Sequence, residues 1–258
     1  LSFDLNFEED LKYVIQQFKT EGITDLILDL RFNNGGSVEL ARYLAASIAG
    51  TSHRSDVFMR MQRNSGADEY IRFGDGDDLN LSSVRIICSE ETASASELII
   101  SGLRGIDFPV KLFGSRTEGK NVGMEVQEYK YGNKYYEFAP ITFRSFNAKD
   151  WGDYADGIDP DVMLNNQNSD YEDDIDNVFP YAFGDWDNFD FNYPLYWALC
   201  DVQGVDPMTG EPVKRSGRSG MTRSQPDEII RVPSVPLKRP AGTFGSLIYN
   251  KPEVENLY

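Results

Sequence analysis

The sequence is poor in the residues on which many catalytic and metal sites depend. It contains one histidine, His53, and two cysteines, Cys88 and Cys200, among 258 residues. Two cysteines cannot build a disulfide scaffold, and with a single histidine they do not supply the usual ligands of a structural zinc site. We predict that both cysteines are buried and reduced, with one bridge between them as the alternative. We predict no metal and no cofactor.

Long apolar runs and excess positive charge are also missing. No apolar run reaches the length of about 18 residues that a membrane-spanning helix needs, so the sequence predicts no transmembrane segment in this chain. The formal net charge is −17 at pH 7. A binder of nucleic acid or of an anionic membrane surface needs a basic face, so neither is expected as a partner.

The hydrophobic residues that are present make up 40% of the chain, enough for one sizeable core. Short apolar runs alternate with amphipathic stretches, a pattern typical of an α/β layer structure. The predicted elements are a helix over 7–21, a strand over 26–28, a helix over 38–48, a strand over 84–88, a helix over 97–103, a strand over 110–113 and a hairpin over 125–145 that turns at Gly132–Asn133. Residues 51–81 are expected to form an irregular surface excursion.

The composition changes in the second half of the chain. No Lys or Arg occurs over 150–213, where 16 Asp and Glu residues lie. The acidic insert at about 164–192 reads as a solvated loop. A calcium loop is the alternative, although the glycine expected at its turn is missing; its ligands would be Asp170, Glu172, Asp174 and Asp176.

The last part of the chain has the opposite composition. Residues 214–258 hold 8 Lys and Arg against 4 Asp and Glu, with 5 of the 12 prolines. We predict one domain over 1–200, closed by a helix over 193–200, and an extended Pro-rich basic tail over 201–258.

A catalytic serine is suggested by "CSEETASASELIISGL" (88–103), where a strand gives way to a helix. A nucleophilic Ser94 would need a base, and His53 reads as an ordinary surface residue. Lys120, on a tight glycine-flanked loop, is the other candidate, because a lysine amine sheltered from water can lose its proton. Each feature also has a plainer interpretation, as a helix cap or a solvated lysine.

Backbone amides near Ser94 would complete such a site. Ala95 lies at a helix start, where N–H groups are unpaired and the helix dipole is positive. Gly35–Gly36, in the loop after the first strand, would offer a second donor and let a substrate backbone approach closely. A Gly-Gly pair after a strand is otherwise simply a turn.

Four motifs in this order resemble the C-terminal processing, or tail-specific, protease family. They are "LILDLRFNNGG" (26–36), "TASASELI" (92–99), "GSRTEGKNVG" (114–123) and "GIDPDV" (157–162). The resemblance implies a ClpP/crotonase-like α/β fold of stacked ββα units, here with an added β-hairpin and an extended C-terminal arm. It also implies a Ser–Lys dyad of Ser94 and Lys120, with an oxyanion hole from Gly35 or Gly36 and Ala95.

The sequence departs from the family pattern at one position. Many members carry Gln four residues after the lysine to orient it, and Met124 stands there. Glu125 is the candidate replacement, and Ser96 a second possible orienting residue. Asp29 and Arg31 match motif positions that we take as structural. No PDZ domain, a substrate-reading module common in the family, is present in this chain.

The resemblance implies a serine endopeptidase that cleaves C-terminal or unstructured protein segments, exported to the periplasm or cell envelope of a bacterium, with oligomer formation possible. A non-catalytic ligand- or peptide-binding domain on the same fold is the alternative, favoured by Met124 and the many aromatic residues. A third hypothesis is a surface interaction module whose acidic loop and tail bind a partner or glycan.

Overall fold

The computed structural model describes residues 2–164 and 189–213. The chain divides into two compact units, with the boundary after Met163. Residues 165–188 of the predicted acidic insert, which include the proposed calcium ligands, lie outside the described residues, and so do residues 214–258 of the predicted tail.

Helices occur where the hydrophobic pattern predicts them. The helix α1 (Glu8–Glu21) ends at Gly22, whose φ of 65° lets its N–H bond back to the last turn. The helix α2 (Val38–Ala49) begins after Ser37, whose Oγ accepts from the N–H of Leu40 at 3.3 Å. The helix α3 (Ala95–Gly105) starts two residues earlier than predicted.

Ten strands are described, and their bounds follow the chain. They are β1 (Ile27–Asp29), β2 (Val57–Arg63), β3 (Glu69–Arg72), β4 (Val84–Cys88), β5 (Val110–Gly114), β6 (Val122–Met124), β7 (Gln127–Tyr131), β8 (Lys134–Phe138), β9 (Ile141–Phe146) and β10 (Val162–Met163).

A parallel sheet with the order β1-β4-β5-β10 positions the candidate site. Asp29, Ile87 and Phe113 lie side by side across its first three strands. Because these strands are parallel, their carboxyl ends meet at one edge of the sheet. The loops that follow β1, β4 and β5 therefore emerge next to one another.

A second sheet corrects the prediction of an irregular excursion over 51–81. This sheet is antiparallel, with the order β3-β2-β9-β6, and two of its strands lie in that stretch. Phe58, Met59 and Met61 of β2 are buried. The prediction was wrong because Arg60 interrupts the apolar pattern; its charge is balanced by Asp68 and Asp150, at 2.5 and 3.0 Å.

The core of the first unit joins the two sheets through α3. Gly102 of α3 has no room for a side chain, since a Cβ there would lie 2.6 Å from the ring of Phe58 in β2. The hairpin β7–β8 turns at Gly132–Asn133, where the sequence predicts it, and all residues of its two strands are exposed.

In the second unit the structure describes the helix α4 (Phe189–Gln203) and a short bridge between Val205 and Pro212. The predicted closing helix is therefore present and extends three residues past position 200, the predicted end of the domain. Cys88 and Cys200 are both unbridged and buried, which confirms the prediction for the cysteines.

Candidate active site

Three loops of the parallel sheet bring together the residues that the sequence analysis selected. Gly35 and Gly36 follow β1, Ser94 follows β4, and Lys120 follows β5. The strand order alone makes these loops neighbours. Contacts between the loops then determine the geometry of each candidate residue.

Ser94 lies on a sharp turn between β4 and α3. Its backbone has φ 59° and ψ −114°, a conformation that residues other than glycine rarely adopt and that costs about 1–3 kcal/mol. The side chain is 0% exposed. Within the described residues its Oγ makes no hydrogen bond. Ser94 therefore presents an unpaired hydroxyl at the first turn of a helix.

Glu97 ties the turn of Ser94 to the loop of Lys120. Its Oε2 accepts from the N–H of Ser94 at 2.8 Å and from the N–H of Lys120 at 2.9 Å. Its Oε1 accepts from Thr117 Oγ1 at 2.6 Å and from the N–H of Gly119 at 2.7 Å. One carboxylate oxygen thus holds the amide nitrogens of Ser94 and Lys120 within two hydrogen-bond lengths of each other.

The carboxylate of Glu97 lies in an environment that penalises its charge. Burial raises the pKa of Glu97, and its four hydrogen bonds counteract that rise. Cys88, at the end of β4, is a buried thiol whose pKa burial raises to about 12. At neutral pH Cys88 is therefore protonated and is no competitor to Ser94 as a nucleophile.

The fourth motif supports the Lys120 loop from below. The N–H of Ile158 donates to Thr117 Oγ1 at 2.8 Å, and the N–H of Thr117 donates to the carbonyl of Ile158 at 3.2 Å. A Cβ at Gly119 would lie 2.4 Å from the carbonyl oxygen of Ala155. The loop can therefore pack this closely only with glycine at 119, which positions Lys120 itself.

The glycine loop is joined to the serine turn through Asn33. The carbonyl of Asn33 accepts from the N–H of Ala93 at 3.2 Å and from Ser96 Oγ at 2.8 Å. A Cβ at Gly35 would lie 2.8 Å from both Ser94 Cβ and Ala95 N. Gly35 therefore contacts the candidate nucleophile directly, and Ser96 braces the two loops.

Two amides near Ser94 are available to a substrate, and one is not. The N–H of Gly35 donates to Asn33 Oδ1 at 3.0 Å. Within the described part of the chain the amides of Gly36 and Ala95 donate no hydrogen bond. Of the three predicted oxyanion donors, Gly35 is thus occupied in this conformation, whereas the other two are not.

The predicted orienting residue Glu125 forms an ion pair with Arg63, whose Nη1 lies 2.9 Å from Glu125 Oε1. Met124 is partly buried in β6. Lys120 is also partly buried. The role of Glu125 toward Lys120 stays a prediction.

Asp29 and Arg31, taken as structural, form a local pair at the end of β1. Arg31 Nη2 lies 2.6 Å from Asp29 Oδ2, and the N–H of Arg31 also donates to Asp29 Oδ1 at 3.1 Å. The guanidinium is buried. This pair fixes the direction in which the chain leaves β1 toward Gly35.

A second buried network lies on the far side of Lys120. Ser145 Oγ donates to the carbonyl of Asn121 at 3.1 Å, and Tyr154 Oη lies 3.0 Å from Ser145 Oγ. Asn121 Nδ2 donates to the carbonyl of Gly152 at 2.7 Å. The residue that follows Lys120 is therefore fixed as firmly as the residues before it.

The sequence analysis assigned no role to Glu97, Thr117 or Tyr154. The spacing Ser94-x-x-Glu97 before an apolar run is a capping-box signature and could have identified Glu97. Thr117 and Tyr154 carry no such local signal, because their partners are distant in sequence. His53, set aside as a base, pairs with Asp56 at 2.7 Å after α2.

These loops and their order agree with the comparisons with known proteins. A sequence model of peptidase family S41 matches residues 1–164. The chain belongs to peptidase family S41, which confirms the resemblance to the C-terminal processing proteases. The residues matched coincide with the first compact unit.

Curated relatives carry a name of the same kind. The "Probable CtpA-like serine protease" of Staphylococcus haemolyticus (strain JCSC1435) is 26% identical over 165 residues, 63% of this chain and 32% of that protein. The protein of the same name from Staphylococcus aureus (strain bovine RF122 / ET3-1) is 26% identical over 184 residues, 69% of this chain and 35% of that protein. The chain thus spans about a third of the length of these relatives.

Solved structures share the fold. An S41 protease of Bacteroides fragilis NCTC 9343 has a TM-score of 0.62 at 23% identity, covering 79% of this chain and 51% of that one. The photosystem II D1 C-terminal processing protease has a TM-score of 0.50 at 22% identity, covering 64% and 40%. The mixed α/β architecture is therefore that of S41 proteases.

Two searches of the described residues bear on the remaining predictions. Among residues 2–164 and 189–213, no group of three or more His, Cys, Asp and Glu side chains is arranged to hold a metal ion. None of the helices in these ranges has the length and apolar character needed to cross a membrane.

Proposed function

We propose that the chain carries the catalytic centre of a serine endopeptidase that uses Ser94 as nucleophile and Lys120 as general base. The observation that carries this proposal is the shared oxygen of Glu97, which accepts from the amides of both residues. A carboxylate used in this way brings together two loops that are otherwise joined only by the sheet. Membership of peptidase family S41 supports the same chemistry.

In the proposed mechanism Ser94 Oγ attacks the carbonyl carbon of the scissile peptide bond while the neutral amine of Lys120 takes the hydroxyl proton. The carbonyl oxygen becomes an oxyanion, which the amides of Gly36 and Ala95 stabilise. Lys120 then gives its proton to the leaving amine, and an acyl-enzyme forms. Water hydrolyses the acyl-enzyme in the reverse order of proton transfers.

The finer description of the fold belongs to the same proposal. The repeated passage from a parallel strand to a loop and a helix, seen at β1–α2 and β4–α3, fits stacked ββα units of the ClpP/crotonase type. In such an arrangement each unit contributes one loop to the same edge. The hairpin β7–β8 is then an addition to that arrangement.

The substrates we propose are polypeptides at C-terminal or unstructured segments. Attack by a hydroxyl set in a buried turn requires an extended chain that reaches between the loops, which a folded surface cannot supply. Export to the periplasm or cell envelope is proposed from the resemblance to the C-terminal processing proteases.

A non-catalytic binding domain is the second candidate function. The observation that favours it is the state of Ser94, which is 0% exposed and whose Oγ has no hydrogen-bond partner in the described residues. A nucleophile in this state must change its surroundings before it reacts. In the second candidate no such change occurs, and a peptide binds without being cleaved.

The test compares cleavage of an unfolded protein, β-casein, by four variants. Ser94→Ala and Lys120→Ala are expected to lower kcat by about 10⁴-fold or more, because each removes one half of a unit that acts together. Ser82→Ala and Lys134→Ala make the same chemical changes at exposed positions and are expected to keep full activity. Equal activity in all four contradicts the dyad, whereas saturable casein binding without cleavage by the unaltered protein supports the second candidate.

A further inference from the structure

The segment around Phe3 contacts the glycine loop as a short parallel strand. The N–H of Phe3 donates to the carbonyl of Gly35 at 2.7 Å, and the N–H of Ser37 donates to the carbonyl of Phe3 at 2.7 Å. Phe3 and Gly36 are thus partners in an isolated parallel bridge. The side chain of Phe3 is buried in the core of the first unit.

This bridge determines where the Gly36 amide points. The N–H of Gly36 and the carbonyl of Gly35 belong to one planar trans peptide, so they point in opposite directions. Since the carbonyl is bonded to Phe3, the N–H points away from Phe3. It donates no hydrogen bond within the described residues.

The peptide between Gly35 and Gly36 would otherwise be easy to turn over. The two residues have φ of 101° and 131°, and glycine carries no Cβ to oppose rotation. On the side of Ser94 the loop meets Ala95 N and Ser94 Cβ, at 2.8 Å from a Cβ placed on Gly35. The bonds to Phe3 are therefore what holds this peptide in one orientation.

We propose that the backbone of Phe3 is a positioning element for the reaction: its N–H fixes the Gly35–Gly36 peptide so that the Gly36 amide is aimed at the oxyanion. The assignment rests on the proposed function, because it concerns the oxyanion hole of that mechanism. Phe3 touches no reacting atom and acts through Gly36. Loss of its N–H leaves the peptide free to rotate, and the developing charge then loses one donor.

The experiment replaces Phe3 by phenyllactate, which exchanges the amide N–H for an ester oxygen and keeps the benzyl side chain. Phenyllactate at Phe7 is the matched control, since the N–H of Phe7 donates to the carbonyl of Asp4 at 3.0 Å, away from the glycine loop. With β-casein as substrate, the ester at position 3 is expected to lower kcat by about 10- to 100-fold with KM nearly unchanged. The ester at position 7 is expected to leave both constants within about twofold.

A peptidyl boronic acid gives a readout that a merely structural role would not move. Its tetrahedral adduct with Ser94 places an oxygen where the oxyanion forms, so its affinity should fall by the same factor as kcat for the ester at position 3 only. By reciprocity, boronate binding to the unmodified protein should slow hydrogen exchange of the Phe3 amide and leave that of Phe7 unchanged. The exchange measurement stands even if the ester variant does not fold.

Equal kcat and equal boronate affinity in the two esters would overturn the assignment, as would unchanged exchange at Phe3 on boronate binding. An unmodified protein that neither cleaves casein nor binds the boronate overturns the proposed function, and the positioning role with it. An active unmodified protein with no difference between positions 3 and 7 overturns the positioning role alone.

Discussion

The carboxyl edge of the parallel sheet and the hairpin β7–β8 are built on opposite plans. At the edge, buried loops that are far apart in sequence are joined through single groups, of which the carboxylate of Glu97 is the main one. The hairpin pairs only with itself within the described residues, and every residue of its strands is exposed. A change at the edge should therefore spread to several loops, whereas a change in the hairpin should stay local.

The first way to break this contrast is Glu97→Gln, for which we expect the largest effect. A glutamine amide offers one acceptor oxygen, so its NH2 group must face either the amides of Ser94 and Lys120 or the donors of Thr117 and Gly119. Two hydrogen bonds are lost, and buried donors are left unpaired at a cost of about 1–3 kcal/mol each, partly offset because the buried charge is gone. Displacing Ser94 from Lys120 should lower kcat for casein by about 100-fold.

Glu118→Gln is the control for this change. Glu118 lies in the same loop, but its side chain is exposed, so the substitution alters charge alone. We expect kcat and the urea midpoint to stay close to those of the unaltered protein. If both glutamine variants behaved alike, the brace between the serine turn and the lysine loop would carry no functional weight.

A second test uses the contact between Gly35 and the serine turn. Gly35→Ala adds a Cβ at 2.8 Å from Ser94 Cβ and from Ala95 N, and it adds backbone strain at φ 101°. Gly66→Ala adds strain at a similar φ of 92° with nothing within 4 Å of the new Cβ. The difference between the variants therefore isolates the steric contact.

We expect Gly66→Ala to cost about 1–2 kcal/mol of unfolding free energy and to leave kcat unchanged. Gly35→Ala should cost more and also lower kcat by at least about tenfold, because the turn of Ser94 must shift. Urea unfolding and casein cleavage measure the two effects. Equal kcat in the two variants would mean that the glycine loop does not support the nucleophile.

The same contrast explains which features were predictable from sequence. Hydrophobic periodicity and Gly22 located α1, and the Gly132–Asn133 turn located the hairpin, because the determining contacts lie within a few residues. Four ordered motifs led to the family, and the candidate residues Ser94 and Lys120 came with them. These features depend on local pattern or on motif order.

Features that depend on distant contacts were missed. The strand β2 was not recognised, because the charge of Arg60 is balanced by Asp68 and by Asp150, 90 residues away. The occupied amide of Gly35 could not be foreseen, since it depends on how the Asn33 side chain turns. Nothing near Phe3 in the sequence indicates that its backbone reaches Gly36.

A third prediction concerns the pH dependence of stability at Glu97. Burial raises the pKa of Glu97 above its ordinary value of 4.5, so the folded protein holds this proton more tightly than the unfolded chain does. Its contribution to stability is therefore greatest at low pH, and it is lost as the pH rises from 4.5 through the raised pKa. Glutamine cannot titrate, which makes Glu97→Gln the reference.

The unfolding free energy of the unaltered protein minus that of Glu97→Gln should accordingly increase as the pH is lowered from 7 toward about 4.5. Urea unfolding at several pH values measures this difference. A difference that instead decreased would mean that the four hydrogen bonds outweigh burial and that the pKa is lowered in the folded state.

The smallest effect is expected in the hairpin, and it sharpens the comparison from the other side. Tyr129 and Tyr136 lie opposite each other in the register of β7 and β8, at 60% and 42% exposure. Tyr136→Ala should cost less than about 1 kcal/mol, the value of one cross-strand aromatic pair, and leave casein cleavage intact. Phe143→Ala, an aromatic in β9 that is 1% exposed, should cost about 3–5 kcal/mol. A cost at Tyr136 as large as that at Phe143 would mean that the tyrosine face is covered in solution, and the hairpin would then belong to the braced part of the molecule.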